Sequence, residues 1–542
     1  MASDDLARLL NERFGSLAAQ RVTWESHWQE IADYVVPRKA DITKTRSPGD
    51  KRSELIFDGT AIHAAELMSA SLHGMLTNPS TKWFSLRFGD IILDGNDEAR
   101  EWLESVEDVM YQEFASSNFQ EQIHELYHDL ITFGTGIMFV EGDEEQTPSS
   151  LRFSTRHIGE CYVSENEYGR VDTVFRKFKI PIRAAISRFG ADTISEKLVK
   201  QGERDPYSLI DLVHAVYPRD SFDVTRVDAV NKPFASVYYD ADQKTVLSES
   251  GFDEFPYLAP RYLKASYEIG YGRSPAMTAL ADIKMLNKMS EVTIRAAQKQ
   301  VDPPLLVPDD GFILPIRTVP GGLNFYRSGT RDRIEPLNIG ANNPLGLNME
   351  EQRRKAIQSA FYVDQLILGQ GPQMTATEVV QRTEEKMRLL GPVLGRLQAE
   401  LLQPLITRVY NILARQEAFE PAPEFMQDID IDIEYVSPLA KAQRQGDVQS
   451  ALRLLELMTP LVNVDQSIID YIDTDGLTKH MVKALSVPAT AVRGDEEVSQ
   501  IRQRRAAEQK QQAEMMQAQQ AAEAAGNAAP ALRAINTMGA TE

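Results

Sequence analysis

Cysteine is all but missing from this chain: Cys161 is the one thiol in 542 residues. A lone cysteine closes no internal disulfide, so the fold is expected to rest on packing and hydrogen bonds, as in a reducing cytoplasm. Long apolar runs are missing as well. No stretch approaches the roughly 20 apolar residues that a membrane helix needs. The opening Met1-Ala2-Ser3-Asp4-Asp5 is acidic where a secretion signal is basic and then apolar. A soluble, intracellular protein with no membrane partner is expected. Basic charge is in short supply: 58 Lys and Arg stand against 79 Asp and Glu, a formal net charge of −21. Phosphate neutralisation supplies most nucleic-acid affinity, so the deficit argues against a tight DNA binder. It suits a surface past which DNA moves without sticking. Two catalytic signatures are absent too. Without GxxxxGK[ST] there is no Walker-type ATP site, and without GxSxG no nucleophile elbow.

What is present divides into two textures. Apolar spacing predicts a helix over 3–35, through Leu6, Leu9, Leu10, Phe14, Leu17, Trp28, Ile31 and Val35, stopped by Pro37. A polar loop is expected over 38–53, then helices at about 59–76, 97–115 and 119–133. From about 137 to 260 short β-prone runs take over, among them Ile137–Val140, Val171–Phe178, Leu209–Val216 and Ser236–Tyr239. Beyond them Pro275–Val301 reads as a long helix. Pro275 suits its first turn and Asp302-Pro303-Pro304 ends it. At 1.5 Å per residue it would span about 40 Å. A Pro/Gly-rich module follows, then a helix from about Met349 to Leu368, then the break Gly369-Gln370-Gly371-Pro372-Gln373-Met374. Thr375 and Glu378 form a capping box opening a helix of about 40 residues, which Pro392 and Pro404 should kink. An alternating strand at Asp428–Tyr435, helices at about 439–459 and 465–485, and a polar helix from Asp495 complete the reading. The fold class expected is α+β, predominantly helical.

Long straight helices around a small β module leave much surface uncovered in a single compact domain. In a ring of identical subunits each flank meets a neighbour. The pattern therefore implies an oligomer before it implies any chemistry. At two segments a resemblance becomes specific: YGRSPAMTALADIKMLNKMSEVTIRAAQKQVDPPLLVP at 271–308 and MTATEVVQRTEEKMRLLGPVLGRLQAELLQPLITRV at 374–409. Weaker matches are Arg21–Pro37, with Trp28 and Tyr34, and LYHDLITFGTGIMFVEGD at 126–143. Over roughly residues 5–490 the chain resembles the portal, or head-to-tail connector, proteins of short-tailed bacteriophages.

The resemblance implies a portal fold of wing, stem, clip and crown, assembled as a ring, commonly of twelve subunits, around a central channel at one capsid vertex. On this chain it implies a wing over 1–270, a first stem helix over 271–302, a clip over 303–345 and a second stem helix over 346–368. A tunnel loop would occupy 369–374, a kinked helix and wing return strand 375–437, crown helices 438–494, and a polar helix with a flexible tail 495–542. The implied partners are further copies of the chain, double-stranded DNA passing without sequence preference, terminase, the major capsid and scaffolding proteins, and head-tail adaptor or tail proteins. Assembly in the host bacterial cytoplasm and residence in the virion follow. No enzymatic activity, cofactor or metal is implied.

Three residue sets are candidates for this work. Gly369, Gln370, Gly371, Pro372, Gln373 and Met374 form an uncharged tunnel-loop candidate; an ordinary helix connector is the plainer reading. Lys284, Lys288, Glu291, Arg295 and Lys299 recur at helical spacing and share one face, net basic within an acidic chain. That face is read either as a channel or subunit-interface stripe or as a solvated surface. Arg317, Arg327, Arg331 and Arg333 are clip candidates, with Asp332 and Glu335 close enough for simple surface pairs.

The alternative with chemistry in it is His124-Glu125-Leu126-Tyr127-His128, an HExxH pattern. On a helix His124 and His128 share a face and can bind zinc, with Glu125 as general base of a metallopeptidase. Asp129 follows where such enzymes carry an uncharged residue, and Ile131 stands where the extended motif has glycine. Asp428, Asp430 and Asp432 alternate with isoleucine as one acidic strand face, and Ile433 replaces the glycine of a calcium loop. The glycines of GTG at 134–136 and GYG at 270–272 lack the third member of a dinucleotide fingerprint. His63, His73, His157, His214 and His480 show no ligand spacing. A third reading, a coiled-coil scaffold, is suggested by the Gln-rich tail.

Overall fold

The computed structural model describes residues 3–47, 49–88, 96–142, 149–223, 225–226, 228–307, 315–317, 323, 325, 329, 334–337, 344–366, 390–426, 448, 450–460, 472–484, 493 and 495–538. The chain divides into two compact units, Met1–Ser85 with Val109–Ala418, and Leu86–Asp108 with Phe419–Glu542.

The first unit opens with helix α1 (Ser3–Val35), α2 (Thr60–Leu76) and α4 (Phe119–Phe133); α3 (Asp97–Ser116) lies between the last two in sequence. Trp28 of α1 is fully buried, and its indole N–H donates to the Phe133 carbonyl at 3.2 Å. Strands β1 (Met138–Gly142), β2 (Leu151–Thr155) and β8 (Tyr257–Leu258) form an antiparallel sheet in the order β2-β1-β8. A second antiparallel sheet is a meander of β3 (Cys161–Glu165), β4 (Val171–Pro181), β5 (Leu209–Pro218), β6 (Phe234–Asp240) and β7 (Thr245–Phe252). Side chains alternate across a strand, and the meander carries an apolar cluster on each face. One carries Phe175, Val213, Ala215, Ala235, Val237 and Tyr239 against Leu10 of α1. The other meets α5 (Ile182–Phe189) and α6 (Glu196–Arg204) through Ile182, Ala185, Ile210 and Leu212.

The expected helix over 275–301 is α7 (Pro275–Val301), capped by the Ser274 hydroxyl, which accepts from the Met277 amide. Its return partner departs from expectation. Instead of running from 349 to 368 it starts earlier, as α8 (Pro344–Ala360), because proline suits a first helical turn. It stops at Tyr362, whose φ of +54° no helix continues through, before the short α9 (Val363–Leu366). Between α7 and α8 a minimal ladder pairs β9 (Leu305–Leu306) with β10 (Glu335–Pro336). Further on, α10 (390–397) passes through one π-turn (Gln398–Leu402) into α11 (Gln403–Arg415). The distortion expected at Pro404 takes this form: proline has no N–H for an α-type bond, and the Gln403 amide reaches five residues back to the Gln398 carbonyl.

The second unit contains helical residues 450–460, α12 (Thr474–Ala484) and α13 (Asp495–Met538). Within it Trp102 donates to the Glu420 carbonyl at 2.9 Å, and Arg502 grips Asp475 with two bonds of 2.6 Å. The architecture is α+β, with helices the larger part. The strand expected at 428–435 and the capping box at 375–378 lie outside the described residues.

Candidate functional site

Helix α7 has two halves in different surroundings. From Pro275 to Ser290 its buried positions are Pro275, Ala276, Met277, Ala279, Leu280, Ile283, Leu286, Asn287 and Ser290. From residue 291 onward no position is buried, and Val292, Ile294 and Val301 are 55, 42 and 87% exposed. The root is held firmly. Asn287 accepts from the Phe57 amide at 2.7 Å and donates to the Leu55 carbonyl at 2.6 Å. Helix α8 runs antiparallel beside α7, tied by Thr293 to Glu350 at 2.6 Å and Arg353 to Asp282 at 2.7 Å.

The candidate stripe sits on this helix and is partly neutralised. Lys284 pairs with Glu30 of α1 at 2.8 Å, and Glu291 lies between Lys288 at 2.8 Å and Arg295 at 2.6 Å. Lys299 is exposed near the distal end. Of the clip candidates, Arg317 is described, while Arg327, Arg331 and Arg333 lie outside the described residues, as do tunnel-loop residues 369–374.

A charged cluster the sequence reading missed anchors the chain leading into α7. Arg261 is 1% exposed. Its guanidinium donates to Glu165, to both carboxylate oxygens of Glu400 at 3.0 and 2.7 Å, and to the Gly169 carbonyl at 2.8 Å. Glu165 also binds Lys264 at 2.5 Å and the Gly270 amide at 2.7 Å. Glu400 belongs to the π-turn, so the turn, the β3 end and the 261–270 loop meet on one guanidinium. Here the two glycine triplets find their purpose. A Cβ on Gly134 would lie 2.2 Å from the Gly272 carbonyl oxygen, and one on Gly272 would lie 2.6 Å from that of Gly134. They are a backbone-to-backbone crossing, which only hydrogen side chains permit. Arg21 and Arg408 are likewise buried on carbonyl groups: Arg21 on those of Ile158, Gly159 and Cys161, Arg408 on that of Val140.

The HExxH residues lie on α4 in a setting hostile to zinc hydrolysis. The Glu125 carboxylate is engaged by Lys39 at 2.6 Å and Arg38 at 3.1 Å. Burial works to raise its pKa, but the Lys39 bond and the two cations outweigh that and hold it low, away from a general base poised near neutrality. His128 is 3% exposed and pushed down to about 3, by burial first and then by Arg38 and Lys39. Asp129 accepts from the same Lys39 ammonium. His124 packs edge-on to His73 at 5.9 Å. Among the described residues no group of three or more His, Cys, Asp or Glu converges on a metal position. The spacing read as HExxH is a half-buried helix face, with Glu125 held by Lys39 and Arg38 and His128 buried.

What this arrangement offers is structural: an antiparallel helix pair rooted in a mixed body, with apolar side chains exposed on its distal half and no described catalytic constellation. The chain belongs to the family of bacteriophage head to tail connecting proteins, which it matches over residues 7–492. It is similar to the probable portal protein of Bordetella phage BPP-1, 32% identical over 524 residues, covering 94% of this chain and 93% of that one. The portal protein of Salmonella phage epsilon15 is 30% identical over 516 residues, 93% of this chain and 92% of its own. That of Enterobacteria phage T3 is 22% identical over 433 residues, 77 and 75% of the two. No helix among the described residues is long and apolar enough to cross a membrane.

Proposed function

We propose that this chain is the portal subunit of a phage capsid: a ring, of twelve copies as is common in the family, whose channel passes double-stranded DNA inward during packaging and outward at ejection. One observation carries the reading beyond the family: on the distal half of α7, beside its contact with α8, Val292, Ile294 and Val301 stay exposed among the described residues. Apolar surface of that kind is expected to be buried by association, and like copies bury it most economically in a closed ring.

In this reading residues 1–270 are the wing, α7 and α8 the stem, and 303–345 the clip, where terminase docks first and head-tail adaptor or tail proteins later. Residues 369–374 are the tunnel loop, the helix through α10 and α11 supports it, and 438–494 are the crown. Arg317, Arg327, Arg331 and Arg333 serve the clip contacts. The ring sits at the head-tail junction of the virion and is built in the bacterial cytoplasm with capsid and scaffolding proteins. DNA movement is driven by a separate ATPase.

Electron microscopy of the purified full-length chain tests this directly. Rings with a central hole are expected; a persistent monomer, or rods without a hole, overturns the reading. Two variants refine it. Lys288→Glu with Arg295→Glu should impair packaging while sparing ring assembly, and deletion of Gly371 and Pro372 should alter DNA retention in assembled heads.

A further inference from the structure

The five-stranded meander carries a cluster of arginines that the connector role does not use. On one rung Arg176 of β4, His214 of β5 and Tyr238 of β6 are direct cross-strand neighbours and share a face. His214 and Tyr238 stack at 4.0 Å with their rings 2° apart. Both His214 nitrogens are taken, by Tyr257 at 3.1 Å and Ser236 at 2.9 Å, and burial, with the three arginines nearby, holds its pKa well below the usual value, so the ring is a neutral floor. Three guanidiniums gather around it, each over an aromatic ring: Arg176 over Phe178 at 4.2 Å, Arg188 over Tyr238 at 4.6 Å, and Arg156 over Phe139 at 5.9 Å. Phe139 in turn stands edge-on to His214 at 5.8 Å.

A guanidinium lying on a ring face keeps its N–H edge for a ligand in its own plane. Among the described residues the supply of anions falls short here. Glu160 takes the Arg176 Nε at 2.8 Å. Among the described residues Arg188 bonds only the neutral Tyr238 hydroxyl, at 2.9 Å, and the Arg156 Nε is buried without a partner. Glu141 faces the cluster from β1, but no described carboxylate comes within ion-pair distance of Arg156 or Arg188. Three like charges kept together with one paired carboxylate is a costly arrangement unless an anion joins them.

We propose that Arg156, Arg176 and Arg188 form a binding site for a phosphate-class oxyanion, supplied either as free phosphate or as the phosphodiester of a nucleic-acid strand. A tetrahedral anion offers enough oxygens to meet three separate forks at once, where a carboxylate offers two. The site stands apart from α7 and does not depend on the ring reading.

Calorimetric titration of the full-length protein with inorganic phosphate, at constant ionic strength set by chloride, tests it. Saturable binding is expected, weakened about tenfold in Arg188→Gln and in Arg156→Gln, the scale of one lost charged hydrogen bond. Arg188 is exposed, so its variant keeps the test valid should Arg156→Gln fold poorly. Arg295→Gln on α7 is the control and should bind as the parent does. A short DNA duplex that displaces phosphate assigns the site to a phosphodiester; one that does not assigns it to the free ion. No phosphate-specific binding, or binding of equal strength in Arg188→Gln, overturns the site.

Discussion

The carboxylate of Glu400 meets Arg261 at 2.7 Å and that of Glu291 meets Arg295 at 2.6 Å, yet these ion pairs of nearly equal length sit in opposite surroundings. The Arg261 side chain is 2% exposed and every group around it is already spoken for; that of Arg295 is 68% exposed. In water an ion pair replaces hydration that was nearly as good. Out of water, removing one partner strands the other charge, and the loss far exceeds the net value of the pair. Length alone thus says nothing about what a charged contact contributes. Surroundings decide it.

The contrast can be broken most forcefully at its buried end. Arg261→Ala leaves Glu165 and Glu400 without their common partner and should cost about 3–5 kcal/mol, read as a fall in the unfolding midpoint at fixed protein concentration. Glu400→Gln, which keeps shape and one acceptor, should cost less, about 1.5–3 kcal/mol. Its effect should also appear as faster amide exchange across Gln398–Leu402 and the 261–270 loop, not in the meander strands. A buried neutral base supplies the next test. Burial holds the folded pKa of His128 down at about 3, below the usual 6.5, so the folded state binds fewer protons than the unfolded one. Its contribution is therefore present above pH 6.5 and lost as pH falls from there toward 3, and His128→Gln should flatten the stability profile across that window. At the exposed end, Lys284→Met removes the pair with Glu30 and should change stability by no more than about 1 kcal/mol. Smallest of all is the effect of a chelator. With Glu125 held by Lys39 and Arg38, treatment with EDTA should leave the midpoint where it was, and purified protein should carry no stoichiometric zinc; a zinc lost in His124→Ala would reverse this assignment.

Helix bounds were legible wherever a local signal was strong. Ser274-Pro275 and Asp302-Pro303 mark both ends of α7 in the sequence, and α1, α2 and α4 follow from apolar spacing and stop signals. Strands were legible in part: β1, β4, β5 and β6 show as β-prone runs, whereas β2 and β3 have five residues each and β7 mixes Ser, Glu and Gly into its run. The start of α8 was not legible because Pro344 and the residues before it carry no periodic apolar signal in the sequence. The HExxH spacing shows the reverse hazard, a local pattern whose meaning lies in Lys39 and Arg38, some 90 residues upstream in sequence.

Family and the bounds of α1, α2, α4 and α7 could be read from residues alone, since periodicity, capping and proline placement act between near neighbours. The buried hub on Arg261, the glycine crossing of 134 and 272, and the arginines over the meander belong to the folded molecule only. Each joins segments separated by roughly a hundred residues or several strands, and a charge or a glycine takes its value from what lies across from it in space, where chain proximity gives no guide.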